Sequence, residues 1–159
     1  MKKLFALAFG FVALLSAHAV VVRPAPNFTF PAPGNKSASL RSLRGQAVVL
    51  LIGDSARQRA VRRQVSYLEE IYQQFASRQV VFVAAFREGD APVKSNIPFV
   101  LANNGPAVAA AYGGDDDFQL VIIGKDGNVD YQTGKVCTGQ RVRDVIQNSF
   151  AVQAAARKP

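Results

Sequence analysis

The residues able to carry thiol or acid–base chemistry are few in this chain of 159 residues. A cysteine thiolate attacks disulfides and peroxides, and a histidine gains or loses a proton near neutral pH. The sequence contains one residue of each kind, Cys137 and His18. Cys137 has no second cysteine with which to form a Cys-x-x-Cys pair, and His18 falls within the export signal described below. We therefore assign no catalytic residue from the sequence.

Other reactive groups do not form a recognisable site either. Ser55 has no histidine to activate it and lies outside a Gly-x-Ser-x-Gly motif. The acidic run Asp115–Asp117, even together with Asp126 or Asp130, lacks the spacing and the bidentate glutamate of an EF-hand calcium loop. A zinc site is not expected in a chain with one cysteine and, after signal removal, no histidine. We predict no metal ion and no cofactor.

A cluster of positive charge is the most distinctive feature of the sequence. Four arginines crowd the beginning of a predicted helix: Arg57, Arg59, Arg62 and Arg63. Such charges oppose the helix dipole, at a cost of roughly a few tenths of a kcal/mol each. Three interpretations remain open. The cluster is a solvated surface, or Arg57 or Arg59 pairs with Asp115–Asp117, or the arginines and the helix N–H groups bind an anion.

The first 19 residues have the pattern of an export signal. Met1–Lys3 is positively charged, Leu4–Leu15 is apolar, and the small residues Ala17 and Ala19 precede the expected cleavage point. The apolar segment is too short to span a bilayer, and no later segment reaches the ~20 apolar residues that a transmembrane helix needs. We therefore expect a periplasmic or secreted bacterial protein.

The charge balance of the mature chain indicates the kind of partner. Removal of residues 1–19 leaves 17 basic and 11 acidic residues, a formal net charge near +6. Outside the cytoplasm, a basic protein is expected to meet acidic surfaces rather than nucleic acid. The expected partner is an acidic protein, polymer or lipid surface of the envelope. The lone thiol also allows a disulfide dimer through Cys137.

The rest of the chain has the pattern of one α/β domain. Apolar, β-branched runs predict buried strands, and apolar residues at helical spacing predict amphipathic helices. The predicted order begins with an extended proline-rich lead-in over 20–39, which leaves room for a short strand or hairpin around Phe28–Phe30. There follow a strand over 47–52, a helix over 56–77, a strand over 79–86, a short helix over 106–112, strands over 118–123 and 129–133, and a helix over about 138–152. This order predicts a mixed sheet with helices on both faces, in a domain over 40–152 with a flexible tail over 153–159.

Several segments resemble the secreted redoxins of the thioredoxin-like superfamily. The resemblance lies in Pro24–Phe30, in Ser39–Leu51, and in Ile97–Val100 together with Ala110–Gly113. Phe118–Val129, which contains Gly-Lys-Asp-Gly-Asn, is similar to the signature of a small exported bacterial thioredoxin-like family of unassigned function. The resemblance implies a three-layer thioredoxin-like sandwich with a mixed central sheet.

The same resemblance implies a redox site whose residues are missing here. Thioredoxin-like enzymes carry Cys-x-x-Cys, and the peroxidases Thr-x-x-Cys, where the first central strand meets its helix. In this chain that stretch is Gly53–Ala60, which contains no sulfur. The cis-proline that faces the motif in these enzymes falls at or near Phe118, where there is no proline. Cys137 follows the second hairpin strand, and we expect it to be a buried, small apolar residue.

From these observations we expect a non-catalytic binding or accessory protein of the bacterial envelope, and we expect that the chain is not an enzyme. Two alternatives remain open: a redoxin-type oxidoreductase or peroxidase that uses Cys137 alone, and a self-associating structural protein. The expected functional residues surround the former redox site and are here called the vestigial surface: Arg57, Arg59, Arg62, Arg63, Asp115, Asp116, Asp117 and Phe118.

Overall fold

The computed structural model describes residues 23–75, 80–89 and 91–156. The predicted export signal at 1–19 lies outside these ranges, as do residues 157–159 of the predicted tail. None of the described helices is long and apolar enough to cross a membrane. The described ranges contain the following elements: β1 (Thr29–Ala32), β2 (Lys36–Ser39), a 3₁₀ turn (Leu40–Leu43), β3 (Ala47–Gly53), α1 (Arg59–Phe75), β4 (Val80–Phe86), β5 (Val100–Leu101), α2 (Gly105–Ala111), β6 (Phe118–Ile123), β7 (Val129–Thr133) and α3 (Gly139–Ala156).

A five-stranded mixed sheet forms the centre of the domain, in the order β5–β4–β3–β6–β7. β3 pairs in parallel with β4 and antiparallel with β6. Every residue of β3 is buried, as expected for a continuous apolar run in the middle of a sheet. The mixed α/β sheet that the sequence predicts is therefore confirmed.

Side chains alternate along β3, so that a hydrophobic core forms on each face of the sheet. Val49 and Leu51 belong to the core that α1 and α3 cover. Val48, Leu50 and Ile52 belong to the opposite core, together with residues of α2 and the β1–β2 hairpin. Helices thus cover both faces, as predicted. At the end of β3 the chain leaves the sheet and turns into α1.

The lead-in contains a hairpin at the place, around Phe28–Phe30, where the sequence left room for one. β1 and β2 form a separate antiparallel hairpin, in which Thr29 pairs with Ser39. Its turn contains Gly34 and Asn35, with φ of 76° and 54°. Glycine and asparagine are the residues that most readily adopt positive φ, and this pair allows the chain to reverse between the two strands.

Two helix boundaries differ from the predicted ones. α1 begins at Arg59, later than the predicted residue 56, because Gln58 N–H bonds to the Ser55 carbonyl oxygen at 3.1 Å in a turn. The bond from Arg62 N–H to the Gln58 carbonyl oxygen, at 3.0 Å, then starts the helical ladder. α3 continues to Ala156, so that part of the predicted tail is helical.

Candidate functional site

Arg87 directly follows β4 and joins three segments at one edge of the sheet. Its Nη1 lies 3.0 Å from Asp54 Oδ1, in an ion pair whose side chains are 21% and 38% exposed. The same Nη1 donates to the Asp117 carbonyl oxygen at 3.0 Å. Nη2 donates to the carbonyl oxygens of Asp116 and, at 3.4 Å, of Gly114. The guanidinium group therefore ties the ends of β3 and β4 to the loop before β6.

Gln58 adds a second connection at the same place. Its Oε1 accepts a hydrogen bond from the Asp54 backbone N–H at 3.0 Å. Its Nε2 donates to the Asp117 carbonyl oxygen at 3.1 Å, the same oxygen that Arg87 contacts. Asp54, Gln58, Arg87 and the carbonyl groups of the 114–117 loop are here called the Arg87 clamp. The clamp occupies the junction of β3 and α1, where the resemblance implied the reactive cysteines.

The structure joins the two halves of the vestigial surface, but not through the predicted side chains. Gln58 and Arg87 connect the turn before α1 to the loop before β6. None of the ion pairs among the described residues joins Arg57 or Arg59 to Asp115–Asp117. The loop offers its carbonyl oxygens to the junction and leaves these carboxylates on the exposed side. The hypothesis of an arginine–aspartate pair is therefore corrected to a clamp made by Arg87.

Phe118 does not contribute to an exposed surface. It is 5% exposed and belongs to the core beneath α1 and α3. As the first residue of β6, it pairs with Gly53, the last residue of β3. Its apolar ring is thereby drawn into the interior. The assignment of Phe118 to the vestigial surface is corrected, since a buried ring offers no contact to a ligand.

The four arginines of the vestigial surface all lie exposed around the beginning of α1. Arg63 Nη2 donates to Tyr67 Oη at 3.3 Å, and the Arg63 guanidinium carbon lies 5.8 Å from the centre of the Tyr67 ring. For Arg57, Arg59 and Arg62, the part of the chain that the structure describes provides no acidic partner at ion-pair distance. Their charges can therefore act on a ligand or on another molecule.

A groove runs beside this cluster and includes two of its arginines. It has a volume of about 490 Å³ and lies between α1 and the segment 91–94. Arg57, Arg62 and Val65 are among the residues that line it on one side, and Pro92, Val93 and Lys94 on the other. The groove therefore combines positive charge with apolar surface.

Cys137 is held in the interior by another buried residue. It is 9% exposed, which confirms the prediction that it is buried. Gln64 Nε2 donates to the Cys137 carbonyl oxygen at 3.0 Å, and Gln64 Oε1 accepts from the Cys137 N–H at 2.7 Å. The sulfur lies 3.5 Å from Tyr131 Oη and 3.7 Å from the Lys135 carbonyl oxygen. These contacts include no member of the Arg87 clamp, so the thiol belongs to a different region of the fold.

Two ionisable groups elsewhere in the described chain have shifted pKa values. Burial raises the pKa of Tyr112 well above its usual range, against the opposing effect of the Arg23 charge. Burial also raises the pKa of Asp130, opposed by a hydrogen bond with Ser149 and reinforced by the Asp126 charge. Neither group belongs to the Arg87 clamp, and so neither provides it with an acid or a base.

Sequence reasoning missed both side chains that close the clamp. For Arg87 a signal was present, because Asp54 and Arg87 directly follow β3 and β4, and two strands joined by a helix usually pair in parallel. Parallel neighbours end at the same edge of a sheet, which brings the two charges together. Gln58 gave no comparable signal, since its contacts depend on the conformation of the turn before α1.

The family of the chain follows from its match to a family model. The model described as the AhpC/TSA family matches residues 21–132. This chain belongs to the AhpC/TSA family. No curated protein matches the sequence.

Solved structures resemble this AhpC/TSA member over most of its length. A protein assigned as thiol:disulfide interchange protein DsbE from Chlorobium tepidum is 16% identical, with a TM-score of 0.65, over 80% of this chain and 96% of that chain. Thioredoxin peroxidase I from Plasmodium yoelii is 17% identical, with a TM-score of 0.63, over 86% and 92%. The exposed lipoprotein thioredoxin Etrx1 from Streptococcus pneumoniae is 14% identical, with a TM-score of 0.59, over 77% and 99%. These likenesses establish a thioredoxin-like fold.

The prediction that the chain is not an enzyme is wrong. The AhpC/TSA family and the similar structures are thiol:disulfide oxidoreductases and peroxidases, which are enzymes. The prediction rested on the missing sulfur in Gly53–Ala60. That observation concerns one junction of the AhpC/TSA fold and does not exclude activity at another place.

Proposed function

We propose that this AhpC/TSA member serves as a binding or accessory protein of the bacterial envelope and engages an acidic partner through the outer face of α1. One observation carries the proposal: Arg57, Arg59 and Arg62 are exposed, and the described residues hold no acidic partner for them. Concentrated positive charge on one face attracts and orients an acidic partner.

The Arg87 clamp supports this location for the binding surface. Arg87 directs its donors at Asp54 and at loop carbonyl oxygens, so the charge at the β3–α1 junction is used within the protein. The arginines just outside the junction make no such contacts within the described ranges. One of the similar proteins is described as an exposed lipoprotein, which supports an envelope location for this chain.

Fluorescence anisotropy of labelled poly-L-glutamate tests the proposal with the mature protein. The triple variant Arg57→Gln, Arg59→Gln, Arg62→Gln should lower the affinity about tenfold or more at low salt, because it removes the attracting charges. The matched control is Lys36→Gln, Arg41→Gln, Arg44→Gln, which removes the same charge from exposed positions elsewhere. Equal loss in both variants would show attraction by net charge alone and would overturn a binding role for the α1 face.

A second candidate function is a thiol reaction at Cys137, which family membership and the contacts of this residue favour. Gln64 holds the Cys137 backbone, and the sulfur lies 3.5 Å from Tyr131 Oη. In this reaction the Cys137 thiolate attacks a hydroperoxide, and its sulfur takes one oxygen to become a sulfenic acid. The alcohol or water leaves with the thiol proton. Two external thiols then restore Cys137 through a mixed disulfide, with release of water and of the external disulfide.

Peroxide consumption in the presence of dithiothreitol tests this second function. The rate should exceed that of the reductant alone and should disappear in Cys137→Ser, which cannot form a sulfenic acid. Tyr131→Phe keeps the ring but removes the hydroxyl beside the sulfur, and it should slow the reaction without abolishing it. A rate that Cys137→Ser leaves unchanged would overturn the thiol function.

A further inference from the structure

The groove beside α1 has the size and the mixed surface of a ligand site. Its volume of about 490 Å³ falls within the range of roughly 300–1,000 Å³ that is usual for such sites. Pro92 and Val93 provide apolar surface, and Arg57, Arg62 and Lys94 provide positive charge. Sites of this kind bind a ligand through apolar contact and orient it through a few charged groups.

The two walls of the groove are fastened to each other by Glu69. Its Oε1 accepts a hydrogen bond from Ser95 Oγ at 2.8 Å and another from the Asn96 N–H at 3.1 Å. Ile97, the next residue, is 3% exposed and anchors this segment in the core. The end of the wall that adjoins Ser95 is therefore held against α1.

The charge in the groove is unbalanced. Among the described residues that line it, three carry positive charge, Arg57, Arg62 and Lys94, and Glu69 is the acidic one. Glu69 already accepts two hydrogen bonds that fasten the wall. Positive charge therefore dominates, and a ligand that carries a carboxylate is complementary to it.

We propose that the groove binds an acidic peptide segment of the partner, with a carboxylate side chain between Arg57, Arg62 and Lys94 and a neighbouring apolar side chain against Val93. This inference rests on the proposed binding function and specifies its partner. Arginine guanidinium groups bind carboxylates through paired N–H donors, which favours a side-chain carboxylate as the charged group.

The surface around the groove favours a peptide over a lipid membrane. Peripheral proteins that bind a bilayer combine positive charge with large apolar side chains that enter the interface. The exposed large apolar residue found among the described residues is Val152, on α3 and not in the groove. Val93 lies in a concave surface, where a side chain can reach it and a flat bilayer cannot.

Anisotropy with a labelled peptide of alternating glutamate and valine tests the inference on the mature protein. Arg57→Gln combined with Arg62→Gln removes two charges that line the groove. Arg59→Gln combined with Arg63→Gln removes the same charge from exposed residues outside its lining. The first pair should lower affinity about tenfold or more and the second about threefold or less. The matched glutamine–valine peptide should not bind.

A further variant tests the apolar part of the groove. Val93→Thr keeps the shape of the side chain but introduces a hydroxyl group. It should lower the affinity for the peptide about threefold or more, because the hydroxyl must be desolvated when the peptide binds. Unchanged affinity in this variant would overturn the assigned contact with Val93. Circular dichroism and thermal unfolding of every variant show that the fold is retained.

The outcomes separate this inference from the function on which it rests. Equal losses of affinity in the two double arginine variants would show that the acidic partner binds along the whole α1 face. That result would overturn the groove as the binding site and leave the proposed function standing. No loss of affinity in either double variant would overturn both the groove inference and the proposed function. Binding to vesicles of anionic phosphatidylglycerol, with no binding of the glutamate–valine peptide, would replace the peptide by a lipid surface and overturn the inference.

Discussion

Gln64 and Cys137 exchange two hydrogen bonds, between the side-chain amide of one residue and the backbone of the other. The Nε2–O and Oε1–N distances are 3.0 and 2.7 Å. Gln64 is fully buried, so α1 and the segment that leads into α3 share a polar contact inside an otherwise apolar core. Buried backbone groups are costly when they lose their partners, and the stability of the fold should depend on this contact.

We predict that Gln64→Leu destabilises the protein by about 2–4 kcal/mol, because it leaves the N–H and the carbonyl group of Cys137 buried without a partner. Urea unfolding measures the loss. Gln73→Leu, at an exposed position of the same helix, is the matched control and should change stability by about 0.5 kcal/mol or less. Similar losses in both variants would contradict the role assigned to Gln64.

We predict that the stability contributed by the Arg87 clamp depends on the Arg87 side chain and not on the carboxylates of the 114–117 loop. Arg87→Met should cost about 1–2 kcal/mol of stability, since three carbonyl oxygens and Asp54 lose a charged donor. Asp117→Asn should cost about 0.5 kcal/mol or less, because Asp117 contributes its backbone oxygen. Thermal unfolding of both variants provides the comparison. A larger loss in Asp117→Asn than in Arg87→Met would contradict the clamp and favour a pair between Arg57 or Arg59 and the loop carboxylates, one of the three interpretations of the sequence.

We predict that Cys137 reacts slowly with an aromatic disulfide reagent in the folded protein. The thiol is buried, with 9% of the residue exposed, and the reagent reaches it only when the structure opens locally. The reaction in the folded state should be about a hundredfold slower than in urea, and Gln64→Leu should accelerate it. Rapid labelling of the native protein, or a disulfide dimer that forms without denaturant, would contradict this expectation.

We predict that Asp130→Asn stabilises the protein near neutral pH. The residue as a whole is exposed, but desolvation of its carboxyl group raises the pKa of Asp130 in the folded state, so folding slightly favours its protonated form. The ionised carboxylate therefore weakens stability, and this effect appears as the pH rises from the ordinary pKa of aspartic acid through the raised one. Urea unfolding across this range should show that the gain from Asp130→Asn vanishes at acidic pH. A gain of the same size at every pH would rule out this cause.

Ser149→Ala provides an independent check of the same titration. The hydrogen bond from Ser149 opposes the effect of burial, and its removal should raise the pKa of Asp130 further. The variant should therefore lose stability near neutral pH and approach the parent protein at acidic pH.

Sequence patterns predicted the elements whose burial is visible in the order of apolar residues. The apolar run that became β3 and the helical spacing of α1 carry their burial in the order of their residues, and both formed as expected. The Arg87 clamp could not be predicted in full, because it depends on backbone carbonyl oxygens of the 114–117 loop. Every residue has such an oxygen, so the residue types of the loop give no signal. The groove could not be predicted from the sequence for a related reason. Its far wall, 91–94, is placed by the contacts of Glu69, which lies more than twenty residues earlier.

The Arg87 clamp also has a consequence for the rate at which the protein unfolds. Arg87 contacts Asp54 and Asp117 across separations of 33 and 30 residues, so its bonds close only when three distant segments are already in place. We expect these peripheral bonds to close after the rate-limiting step of folding, once all three segments are in place. Loss of the clamp should therefore speed unfolding and leave refolding almost unchanged. The lifetime of the folded chain would then depend on a side chain that makes its contacts late in folding.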